Sequence, residues 1–134
     1  MTADAPTRQR PLLAMIDEDD TGEEARVTVV LGWDDKAYEG EATGSIELNH
    51  RPRLIGEATL RAVERVAEGR IMLDLTAVGT TSLGGAQVAM AQVQLDTFPD
   101  GFVGSAMIRE AVPSKATARA VLDAINRQLE SVLA

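Results

Sequence analysis

The apolar and polar positions fall into two successive sets of short strands, each closed by one helix. Residues 12–16 form a first apolar run, and residues 17–24 (DEDDTGEE) follow as an acidic hairpin turn in which Gly22 can take a positive φ. Residues 27–32 read as a strong strand, because VTVVL is β-branched and apolar. After a turn at 33–36 (WDDK), residues 38–44 alternate as a weaker third strand. Pro52 suits the first position of a helix, where its missing N–H costs nothing. That helix is predicted to run to about Glu68, with Ile55, Ala58, Ala62, Val63 and Val66 at helical spacing and Gly69 ending it.

The second half repeats the plan. Residues 71–78 alternate as a strand, 79–85 (GTTSLGG) turn, 87–95 form a long alternating strand, 99–101 turn again, and 102–109 make a sixth strand. Ser114, following Pro113, offers its hydroxyl as an N-cap for a helix over 115–133. Residues 1–10 are polar and are expected to be a disordered tail. The predicted architecture is α+β: one domain over 11–134, built from two βββα repeats at about 11–69 and 70–134.

Three local matches support a duplication. ATLRAV (58–63) matches ATARAV (116–121), ARVTVV (25–30) matches AQVAMA (86–91), and YEGEA (38–42) matches FVGSA (102–106). They occur in the same order in both halves. Three strands and a helix alone bury too little apolar surface, so two copies are expected to cover each other. The second helix carries a wide stripe in which Leu122, Ile125, Leu129 and Val132 are expected to face a second subunit, simple core packing being the alternative.

Composition narrows the chemistry. The chain has 134 residues, of which only 3% are aromatic, so its core must be aliphatic. With no cysteine there can be no disulfide, Cys-ligated zinc or thiol catalysis. A net charge of -8 argues against nucleic-acid binding. Neither a signal-like apolar region nor a run long enough to span a membrane is visible, so a cytoplasmic protein is expected. Arg51, Arg53 and Arg61 form the strongest basic cluster, read either as a site for one small anion or as a solvated helix end.

No catalytic motif emerges. The acidic turn lacks the bidentate Glu of a calcium loop, and GTTSLGG is not followed by Lys-Ser/Thr as a phosphate loop requires. His50 is the single histidine, and none of Ser45, Ser82, Ser105 and Ser114 lies in a nucleophile motif. No metal or cofactor is expected, and an enzyme with a site near His50 is the remote alternative. Small residues would let a ligand approach the backbone. The candidate ligand set is therefore Gly44, Arg51, Arg53, Gly84, Gly85, Gly104 and Ser105.

The end of the chain, GFVGSAMIREAVPSKATARAVLDAINRQL (101–129), has a glycine-containing strand, a connection and a final helix closing on Ala124–Ile125–Asn126. With LTAVGTTSLGGAQVAMAQV (75–93) before it, this resembles the C-terminal regulatory (allosteric, dimerisation) domain of α-isopropylmalate synthase and citramalate synthase. The stretch ATGSIELNHRPRLIGEA (42–58) lacks the family's G-x-G-P-V-D-A-like effector segment, and no counterpart of the catalytic barrel is present. The resemblance implies the fold and a habit of pairing, not the synthase reaction. A non-catalytic stand-alone regulatory module acting by homodimerisation is therefore expected, with sensing of a small amino or keto acid as a second hypothesis. Docking of a basic protein partner on the DEDDTGEE turn is the alternative.

Overall fold

The computed structural model describes residues 10–96, 98–109 and 113–133. Strands β1 (Leu12–Thr21), β2 (Glu24–Trp33) and β3 (Lys36–Ser45) form one antiparallel sheet, followed by helix α1 (Arg51–Val66). Strands β4 (Leu73–Leu83), β5 (Ala86–Leu95) and β6 (Phe98–Met107) form a second antiparallel sheet, followed by α2 (Pro113–Leu133). The fold is α+β with two βββα units. Of the expected tail, residues 1–9 lie outside the described residues, while Arg10 is tied to Glu130 by an ion pair of 2.6 Å.

Most strands outrun their expected ends. Residues 17–21 belong to β1, 79–83 to β4 and 99–101 to β6, each of which was expected to turn. Polar side chains do not interrupt a backbone ladder, so the acidic and Gly/Thr/Ser segments pair on as hairpins. Three of the hairpins reverse where the backbone takes a positive φ: at Gly22, at Asp34 and Asp35, and at Gly84 and Gly85. Ser114 is also placed differently, inside the first turn of α2, where its hydroxyl donates to Glu18 Oε2 at 2.8 Å rather than capping the helix.

Each helix lies between the two sheets. On α1, Ala58 and Ala62 press on Gly40 of β3, where a Cβ would overlap the helix backbone. On the opposite face, Gly56 meets β4, and a Cβ there would stand 2.7 Å from Leu75 Cδ2. Helix α2 repeats this, with Ala120 and Ala124 on Gly104 of β6 and with β1 on its other side. One buried aliphatic cluster therefore runs through both units, including Val29, Leu31, Ile55, Leu60, Leu73, Val93, Ile125 and Leu129. The outward faces of both sheets are left to solvent.

The pairing registers set the repeat. A bulge interrupts β1–β2 between Leu13 and Met15, and another interrupts β4–β5 between Leu75 and Ala77, 62 residues later. Gly40 pairs with Val29, and Gly104 pairs with Ala91, so the third strands are 64 apart. The match of YEGEA to FVGSA holds. The match of ARVTVV to AQVAMA is one residue off, because Val27 is buried whereas Val88 faces outward; the true counterpart of Val27 is Ala89. The helical match ATLRAV to ATARAV is off by one turn, since Ala58 and Ala120, not Ala58 and Ala116, hold the equivalent contact with glycine.

Candidate functional site

Superimposing the two units in this register exposes a difference between their outward faces. On the first sheet, the outward positions include Asp17, Asp19, Glu24, Arg26, Glu39 and Glu41. Their counterparts on the second sheet are Gly79, Thr81, Ala86, Val88, Val103 and Ser105. Six charges are thus replaced by none. Residues 75–95 contain no Asp, Glu, Lys or Arg, in a chain where 25% of residues are charged.

The uncharged face is also apolar and uncovered. Leu83 (73% exposed), Val103 (62%), Met107 (50%) and Met90 (38%) all stand on it. Ala77, Gly79, Met90, Gln92 and Val103 line a shallow concavity of about 370 Å³ at its centre. Isolated exposed apolar side chains are ordinary, but four on one three-stranded face without a charge between them form a contiguous patch.

The basic cluster of α1 is engaged within the protein. The Arg51 guanidinium is 14% exposed and reaches Glu18 Oε1 and Asp20 Oδ1, each at 2.7 Å. Its pKa is raised above the ordinary guanidinium value, chiefly by the hydrogen bond to Glu18, against an opposing cost of burial. Since Ser114 also donates to Glu18, this group joins β1, α1 and α2. Arg53 donates to the Leu75 carbonyl at 3.1 Å, and Arg61 to the Leu73 carbonyl at 2.7 Å, while Glu64 accepts from the Leu73 N–H. These three side chains cover the free edge of β4.

The remaining candidate residues do not converge. Gly44 lies against the Leu54 side chain, Gly84 and Gly85 form the exposed β4–β5 tip, and Gly104 is closed off by α2. Ser105 is exposed, and its N–H donates to Asp123 Oδ2 at 2.9 Å. Leu122, Ile125 and Leu129 are buried in the chain's own core, and Val132 is half-buried. That helix stripe is already covered without a second subunit. His50 is exposed at a helix start, 3.6 Å from Glu47. Among the described residues, no group of three or more His, Asp or Glu is placed to hold a metal ion, and no helix is long and apolar enough to cross a membrane.

A second feature is a groove of about 490 Å³ between α2 and β1, lined by Leu12, Leu13, Arg119, Leu122, Asp123 and Asn126, among others. Its counterpart between α1 and β4 contains Arg53, Glu57 and Arg61. In the repeat register Glu57 and Arg61 correspond to Arg119 and Asp123, so the pair of charges is reversed. In the α1 groove the arginines cap β4 carbonyls, whereas in the α2 groove the acidic member takes the Ser105 N–H.

Sequence reasoning pointed to glycines and arginines and missed the uncharged face. Its signal was present all the same, as the gap in charge between Asp74 and Asp96. Comparison with known proteins adds no relative: neither a family model nor a curated protein matches the chain.

Proposed function

We propose that the chain is a non-catalytic regulatory module that acts by pairing with a second copy of itself. The observation carrying this reading is the uncharged outward face of the second sheet, with Leu83, Met90, Val103 and Met107 exposed on it. Burying the centre of such a face removes apolar surface from water without desolvating a charge. The doubled βββα element order also supports a kinship with the regulatory domains of isopropylmalate and citramalate synthases. Light scattering across a concentration series tests the pairing: a dimer mass that grows in with concentration is expected, and a monomer throughout would refute it.

Small-metabolite sensing is a second reading, favoured by the groove at α2. Arg119 and Asp123 present opposite charges beside the apolar Leu12, Leu13 and Leu122, a lining suited to an amino or keto acid with an aliphatic tail. A thermal-shift screen of such acids checks it. A rise in melting temperature that disappears in Arg119→Ala supports sensing at this groove. No shift with any acid counts against it.

A further inference from the structure

The geometry points to a closed two-copy assembly in which the second sheets stack face to face, and the charges of the first sheet stop further growth. This rests on the pairing reading above and specifies its surface and its limit. The sheet is three strands wide and about ten residues long. With strands about 4.8 Å apart and a rise of about 3.3 Å per residue, one face spans roughly 450–500 Å². Two such faces together give about 900–1,000 Å², below the roughly 1,200 Å² at which stable interfaces begin and within the range of weak ones, so the dimer should form reversibly with concentration.

Charge selects the occupant. A second copy offers two broad sheet faces. Its first sheet would press Asp17, Asp19, Glu39 and Glu41 onto Val103 and Met90, leaving carboxylates desolvated without partners. Apart from Asp74 at one end, where it pairs with Gln94, its second sheet presents only Ala, Gly, Thr, Val, Met, Leu, Ser and Gln outward on the paired positions. The favourable contact is therefore the same face on both copies, which uses up that face and closes the assembly. Met90 and Met107 are flexible enough to fill the space between two twisted sheets. The duplication explains why a stop is needed. Two related outward faces, if both were uncharged, would let copies stack without end.

Four measurements test this on the full chain. Sedimentation of the native protein should show monomer and dimer only; larger species would overturn the closure. Val103→Glu and Met90→Glu, each at an exposed site, should reduce the dimer fraction at least tenfold while leaving the circular dichroism spectrum unchanged. A dimer that survives both would overturn the assigned surface, yet leave the pairing reading standing; a native monomer sinks both. As the chain has no cysteine, Val103→Cys and Glu39→Cys can each carry a single spin label, which keeps the test independent of disruptive changes. A short distance between copies is expected at position 103 and a much longer one at 39; the reverse overturns the proposal. Finally, Asp17→Gly, Asp19→Thr, Glu24→Ala, Arg26→Val, Glu39→Val and Glu41→Ser together should yield oligomers beyond the dimer. A dimer that persists unchanged would overturn the role given to these charges.

Discussion

Gly40 of β3 and Ala58 of α1 are in backbone-to-backbone contact, with no space between them for a methyl group. Gly104 and Ala120 repeat the relationship in the second unit. Both contacts put a helix directly on a strand, and both use a glycine in the strand against an alanine in the helix. Close approach, rather than turn geometry, is what these two glycines provide.

Gly40→Ala and Gly104→Ala should each destabilise the fold by about 3 kcal/mol or more, the upper end of overpacking costs. The obstructing atoms belong to a helix backbone, which cannot rotate away as a side chain does. Gly32→Ala is the control, since the nearest atom to a Cβ there is the Lys36 carbonyl oxygen at 4.0 Å. That substitution should change stability by less than about 1 kcal/mol in urea unfolding.

The Arg51 group predicts a different response. Removing the guanidinium leaves Glu18 and Asp20 without their cation, but both carboxylates are partly exposed, at 30% and 52%, so water compensates in part. Arg51→Ala should cost about 2 kcal/mol, less than a fully buried pair would. Arg51→Lys should recover only part of it, because an ammonium cannot fork to two acids. The folded-state pKa of Arg51 is raised. Its contribution is therefore complete below the ordinary guanidinium pKa and is lost only as pH rises through the folded value. The stability difference between wild type and Arg51→Ala should thus be independent of pH, as far as Arg51's own titration goes, across the neutral range. Denaturant melts at several pH values check this.

Local patterns made the element order legible, and tertiary contacts decided the rest. The β-branched, apolar run VTVVL and the alternation in QVAMAQVQL identified β2 and β5, and Pro52 with Gly69 bracketed α1. The register of the repeat was not legible, because Ala and Val recur so often that matches shifted by one residue or one helical turn look as good as the true ones. The placement of the helices between the sheets was hidden as well. It depends on Gly56, which reads as a weak point in a helix until Leu75 is seen lying against it. Arg51 looked like a free cation because its partners, Glu18 and Asp20, stand more than thirty residues away. The uncharged face needed the register first, since only paired positions show that its polar and apolar residues share one side.

The covered edge of β4 gives a local test. Glu64 accepts from the Leu73 N–H at 2.9 Å, and Arg61 donates to the carbonyl of the same residue. Glu64→Ala should speed hydrogen exchange at the Leu73 amide at least tenfold, with a loss of about 1 kcal/mol overall. Arg61→Met should cost a similar amount by leaving the carbonyl unpaired. Exchange at Val93, on the central strand of the sheet, should respond only to the global loss of stability.

The turn between β2 and β3 should be open to improvement. Asp34 and Asp35 hold φ values of 54° and 62°, a region that favours glycine and asparagine over other residues. Two adjacent carboxylates at the tip also repel each other. Replacing the pair by Asn-Gly, through Asp34→Asn and Asp35→Gly, supplies the residues that a two-residue hairpin with positive φ prefers. The exchange should stabilise the fold by about 0.5–1 kcal/mol and raise the melting temperature by a few degrees. The reversed order, Asp34→Gly with Asp35→Asn, also removes both charges. A smaller gain from it would attribute the difference to backbone fit, and equal gains would attribute the effect to charge alone.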